Sequence, residues 1–149
     1  MYIFTFYKLI MEKEQNISFR LKNIELLQSS LAAIDYEITN ETIFKFNINI
    51  EHLVNINENC IAIKPNVEIF TEENDFVLGK LSSSLIFEFE NLTSYVVDNE
   101  VKLQTDIIFA INSISISTIR GIMFSTFKGT YLHNAFLPVI DPKAFNIEK

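Results

Sequence analysis

The chain of 149 residues is 48% hydrophobic, with 14 Phe, no Trp, three Gly and three Pro, and carries a formal net charge of −7. That length bounds one domain large enough to bury its own core, and that composition excludes a disordered chain. The acidic balance excludes a nucleic-acid partner held by phosphate neutralisation, while leaving a basic protein partner open.

Cys60 is the only cysteine, so an intrachain disulfide and a thiolate metal cluster are excluded, and a reducing, cytoplasmic setting is expected. No stretch approaches about 18 uninterrupted apolar residues, so no membrane insertion is expected. The opening MYIFTFYKLI is apolar, but it lacks a basic leading region and a small-residue cleavage site, which argues against a signal peptide. Met11 heads a more ordinary polar start, MEKEQN. The first ten residues are therefore read as an extension, a misassigned start or an added strand, and 1–16 as an N-terminal extension ahead of one domain over 17–149.

The segment from Ile17 to Leu31 alternates apolar and polar residues, and the alternation slips by one after Lys22-Asn23, as a bulge would cause. It predicts a first strand, followed by a polar connection over 32–42. From Thr42 to Asn55 the alternation is regular: Ile43, Phe44, Phe46, Ile48, Ile50 and Leu53 on one side, Lys45, Asn47, Asn49 and Glu51 on the other. One face is then buried and one wet, as in an antiparallel sheet covered on a single side.

Asn55 to Asn59 offers residues able to adopt positive φ in a turn. A third strand runs from Cys60 to Thr71, where Pro65 suggests an edge position or a bulge. The acidic turn Glu72-Glu73-Asn74-Asp75 leads into a fourth strand, Phe76 to Glu90, on which Leu81, Leu85, Phe87 and Phe89 share a face. Short polar connections make an antiparallel meander the economical topology. Residues 91–99 would carry the chain across to the other side of the sheet.

Two readings compete for the run that begins at Asp106. The alternation of Ile111, Ile114 and Ile116 with serines, and the β-branched content, suit a strand. Spacings of three and four through Ile107, Ile108, Ile111, Ile114, Ser115, Thr118, Ile119 and Ile122 suit a helix, and the run is too long for an ordinary strand. A sheet with a bare apolar face needs a cover, which favours the helix. The pattern breaks at Lys128-Gly129-Thr130, and a second short helix is expected near the end of the chain.

The ending KGTYLHNAFLPVIDPKAF, residues 128–145, resembles the SecB chaperone family, in which a basic residue, Gly-Thr, an aromatic, a Leu-x-Pro-Val step and a final aromatic follow in this order. Gly129-Thr130-Tyr131 and Pro138-Val139 keep that separation. The resemblance implies an α+β fold: a four-stranded antiparallel sheet with one long and one short helix packed on one face. Where the family has Pro after the aromatic, this chain has Leu132, and the family's second helix and motor-binding tail continue past the point reached at Lys149. These departures suit a SecB-like protein other than the export chaperone, such as one serving a toxin-antitoxin pair.

The resemblance further implies an ATP-independent holdase for unfolded or non-native polypeptide, assembled as a homo-oligomeric dimer of dimers through long helices and edge strands. Its client groove would lie between the crossover loop, the long helix and the following loop, with Tyr95, Val97, Phe124, Phe127, Tyr131, Phe136 and Leu137 as lining candidates. Core packing is the competing reading for each of these side chains. By the same resemblance, Glu51, Glu58, Glu68, Glu88 and Glu90 would form an acidic face that docks the translocation motor SecA, against the plainer reading of solubilising charge. The alternative function is a non-chaperone interaction or assembly module on the same fold.

Enzyme readings find little support. His52 and His133 lie far apart without a carboxylate at ligand spacing, so neither a metal nor a cofactor site is expected; His52 reads as a surface strand residue and His133 as a loop residue. Ser82-Ser83-Ser84 lacks the glycines of a nucleophile elbow, and Gly79, Gly121 and Gly129 make no phosphate cradle. Glu88 and Glu90 share a strand face without the surroundings that acid-base chemistry needs.

Overall fold

A computed structural model describes residues 18–145, so the expectations for residues 1–16 and for the end of the chain after Phe145 lie outside the described residues. Four long strands form one antiparallel sheet: β1 (Phe19–Leu31), β2 (Phe44–Asn55), β3 (Cys60–Thr71) and β4 (Asn74–Phe89). A short hairpin follows, β5 (Val96–Val97) with β6 (Glu100–Val101), and then a single long helix, α1 (Thr105–Phe127).

The strand order is β1-β4-β3-β2, which corrects the meander expected from short connections. Strands β2, β3 and β4 are joined by tight turns, but the long connection 32–43 releases β1 to the far edge. There Phe19 packs its ring on Phe87 at 6.2 Å and on Phe89 at 5.4 Å. Read from its C-terminal strand, this is a Greek-key arrangement. The slip after Lys22 is a bulge between Leu21 and Asn23, and a second register shift follows between Leu26 and Gln28.

Pro65 also corrects the sequence expectation, because β3 is central and unbulged there. Its pairing with β2 runs unbroken through Ile50, whereas the ladder to β4 is interrupted between Ile63–Leu85 and Asn66–Ser82. The missing N–H of proline accounts for such a gap. Ser83 stands opposite it, its hydroxyl buried and without a partner.

Along β3 burial alternates strictly, with Ile61, Ile63, Val67 and Ile69 toward α1 and Lys64, Asn66 and Glu68 away from it. On β2 the helix-side set is Phe44, Phe46, Ile48, Ile50 and His52; Ile43 and Leu53, expected inside, are exposed. Successive strand residues point to opposite faces, so Ile43 and Leu53 lie in phase with Lys45, Asn47, Asn49 and Glu51 on the wet side.

The helical reading of the long apolar run is the observed one. Ile107, Ile111, Ser115, Ile119, Met123 and Phe127 recur at helical spacing and are buried against β3 and β4. By length and mean hydropathy (1.6) α1 would suffice to cross a membrane, but here it is the core helix over the sheet. Asp106 sits in the first turn, where a carboxylate suits the helix dipole. The helix stops where Gly129 takes φ +80 and the Thr130 hydroxyl donates to the Phe127 carbonyl at 2.7 Å. The expected second helix is, among the described residues, one 3₁₀ turn over Pro142–Ala144, opened by Asp141 accepting from the Lys143 amide.

Candidate functional site

The loop after α1 folds back along the helix and is caught by side chains. The Arg120 guanidinium donates to the carbonyls of Leu137 (3.1 Å) and Pro138 (2.9 Å). Eight residues earlier on the same helix, the amide nitrogen of buried Asn112 donates to the Phe145 carbonyl at 2.7 Å. Its oxygen therefore faces His52 as an acceptor, which places the proton of the imidazole on Nε2 across a 2.7 Å contact. His52 is thus not the surface residue its strand position suggested. It faces the helix because it is in phase with Ile48 and Ile50, and its Nδ1 is buried without a partner.

With the loop pinned there, Phe136 stacks on Phe124 at 6.2 Å and His133 lies 6.0 Å from the same ring. Both phenylalanines remain about half exposed, 48% for Phe124 and 58% for Phe136, and Val139 is 99% exposed. This is an apolar patch at the C-terminal end of α1, with the extended segment Leu137–Asp141 beside it.

The structure divides the remaining candidates among different settings. Phe127 and Leu137 are buried in the core. Tyr131 is half-buried, and its hydroxyl donates to the Ala32 carbonyl at 2.5 Å, with the Leu78 carbonyl at 3.2 Å, so it fastens the loop to the ends of β1 and β4. Burial, and to a lesser degree nearby Tyr36, pushes its phenol pKa up. Tyr95 packs against the core, and Val97 is exposed on the hairpin before α1, whose turn places Asp98 and Asn99 at positive φ. The hairpin joins α1 at its start, roughly 28 Å along the axis from Phe124. Val97 and the Phe124–Phe136 patch therefore occupy opposite ends of the helix.

The carboxylates also separate. Glu88 bonds Arg20 at 2.6 Å and lies 3.4 Å from Lys22; the hydrogen bond from Arg20 is the main cause of its lowered pKa. Glu68 is held below the ordinary carboxylate range mainly by its hydrogen bond from Lys80, an ion pair of 3.1 Å, with Asn47 assisting. Glu51, Glu58 and Glu90 are exposed and in no ion pair among the described residues. Cys60, next to Glu58 on the turn, has its thiol pKa raised by burial first and by that carboxylate second, which keeps it protonated. No group of three or more metal-binding side chains occurs among the described residues.

Sequence reasoning passed over one exposed surface. Beyond Leu21, β1 carries Ile24, Leu26, Leu27 and Leu31 in solvent, although Ile24 and Leu26 pair opposite Leu85 and Ser83 on the helix side of the sheet. Their alternation marked them as strand residues, but no signal in it could show that the helix would lie over β3 and β4 instead.

Comparison of the sequence with protein-family models and with curated proteins gives no match. Among solved structures, the chain is similar to the Mycobacterium tuberculosis Rv1957 SecB-like chaperone in complex with a ChAD peptide from the Rv1956 HigA1 antitoxin, with a TM-score of 0.61 at 9% identity, covering 82% of this chain and 89% of that one. A Streptococcus agalactiae protein of unknown function aligns with a TM-score of 0.40 at 8% identity over 75% of this chain and 89% of its own. The four-stranded antiparallel sheet with one main helix is thus an α+β fold similar to that of the SecB-like chaperone.

Proposed function

We propose that the protein is an ATP-independent holdase that keeps non-native polypeptide from aggregating, in the form of a chaperone with a dedicated client such as an antitoxin. The observation that carries this reading is the solvent-exposed stack of Phe124 on Phe136, with Val139 beyond it, on a fold shared with a SecB-like chaperone bound to an antitoxin peptide. Exposed aromatics held in place by a pinned loop bind extended apolar segments without a fixed sequence. Each client side chain buried there contributes about 1.5–3 kcal/mol before ordering costs, so one patch is weak and several must act together.

Val97 at the other end of α1 supplies a second contact point, Tyr95 and Tyr131 form half-buried margins, and Phe127 and Leu137 support the patch from within. A homo-oligomer, a dimer of dimers in the cytoplasm, would multiply these weak sites by avidity. A dedicated client is favoured over the export motor because two of the five candidate docking carboxylates, Glu68 and Glu88, are already neutralised by Lys80 and Arg20. No enzymatic step is part of the proposal.

The test is light scattering of several unrelated denatured proteins, and of the neighbouring gene products, with stoichiometric protein and no ATP. Suppression that falls in the Phe124→Ser/Phe136→Ser variant is expected. If no client is protected, the chaperone reading is wrong and the alternative, a non-chaperone interaction module, takes its place.

A further inference from the structure

Strand β2 is one of the two edges of the sheet, and its pairing with β3 runs through all 12 of its residues without a bulge. The Glu72 amide donates to the Ile43 carbonyl at 2.9 Å, one step beyond the pair Phe44–Thr71, so the odd-numbered residues of this stretch turn their N–H and C=O groups toward β3. The backbone groups of the even-numbered residues from Phe44 to Val54 therefore point outward. None of them has a hydrogen-bond partner among the described residues. Such an open ladder is a template for another extended chain, and β2 is blunted by neither a bulge nor a proline. Strand β1, with its two register shifts, offers no ladder as straight.

The side chains along this edge are matched about Ile48. At equal distances on either side of it stand Asn47 and Asn49, Lys45 and Glu51, and Ile43 and Leu53, all on the wet side. A two-fold axis at Ile48 would set the members of each pair directly opposite one another on two copies of the chain, on the same face of a joined sheet. Lys45 and Glu51 would then meet twice, and both are exposed and in no ion pair among the described residues. Ile43 and Leu53, 62% and 42% exposed, would cover each other. These wet-side pairs fall at the closely spaced, non-hydrogen-bonded positions, while the even-numbered residues exchange the open backbone bonds.

We propose that β2 pairs antiparallel with β2 of a second copy, Ile48 opposite Ile48, so that two four-stranded sheets become one continuous sheet. The helix α1 packs on β3 and β4 and stands clear of this edge. The pairing names the edge and the register of one contact in the proposed homo-oligomer; it rests on that assembly and is independent of which client is held.

The test is sedimentation over a dilution series of the full chain and of its Lys45→Glu, Glu51→Lys and doubly substituted variants, with circular dichroism as the control for folding. Each single variant sets like charges opposite one another at two positions, and its concentration of half-dissociation should rise roughly tenfold or more. The double variant restores opposite charges across the axis, as does an equimolar mixture of the two single variants. Both should associate within about threefold of the native chain. Single variants that associate like the native chain, or a mixture no tighter than its components, would overturn the pairing and leave the oligomer standing. A native chain that is monomeric throughout would remove the oligomer and this contact together, while client protection is read separately by light scattering.

Discussion

The two halves of the sheet contain similar side chains and treat them oppositely. Under α1, Ile63 and Phe87 are fully removed from solvent, whereas on β1 Ile24 and Leu26 are left about half exposed one strand away. Apolar burial stabilises by about 25 cal/mol per Å² wherever it occurs, so the covered half holds the fold together and the open half contributes little to it. The same contrast leaves β1 and the Phe124–Phe136 patch as open apolar surfaces among the described residues.

The largest test of that contrast is Phe87→Ala against Ile24→Ala. Loss of Phe87 leaves a cavity beneath Phe19 and should cost about 3–5 kcal/mol in denaturant unfolding. Loss of Ile24 should cost no more than about 1 kcal/mol. Comparable losses would mean that Ile24 is covered in solution as well.

Next in size is Asn112→Ala, which removes the acceptor of the His52 Nε2–H and the donor to the Phe145 carbonyl together. About 2–3 kcal/mol of stability should be lost, and cleavage by a protease should begin in the loop 137–145 before the strands are attacked. Unchanged proteolysis would show that the loop is held by Arg120 alone.

Gly79→Ala probes the seam between the halves. A Cβ there would come within 2.6 Å of Leu132 Cδ1 and 3.3 Å of both the Phe127 ring and the Ser30 carbonyl. Because Leu132 and Phe127 are buried and cannot swing into solvent, destabilisation of about 1–2 kcal/mol is expected by thermal melting. A neutral variant would show that the loop packs loosely on β4.

The smallest effect belongs to Glu88, tied to β1 through Arg20. Its pKa is lowered in the folded state, so its contribution is present above the ordinary carboxylate pKa and fades as pH falls through the lowered folded value. In an NMR titration Arg20→Ala should move the Glu88 midpoint upward. A fixed midpoint would show that the ion pair does not persist in solution.

Much of this architecture is written in local pattern. Period two across β2 and β3, the slip at Lys22, the helical spacing from Ile107 to Met123 and the stop at Gly129 each reflect backbone geometry acting over a few residues. Of the candidate site, the ending with Tyr131, Phe136 and Pro138-Val139 could be singled out, yet whether a given aromatic faced core or solvent could not. Phe124 and Phe127 are three residues apart on one helix; one is exposed and the other buried. His52 faces the helix against expectation because its companion, Asn112, is remote in sequence and meets it only where the helix packs on the sheet.

The sequence by itself determined the four long strands, the long helix and the faces of the central strands, because periodicity and turn chemistry are short-range. Only the tertiary structure decided that β1 lies beside β4, that Pro65 sits in a central strand, and which apolar residues remain in water. Those outcomes depend on where a single helix comes to rest on a sheet wider than itself, a long-range choice made by packing.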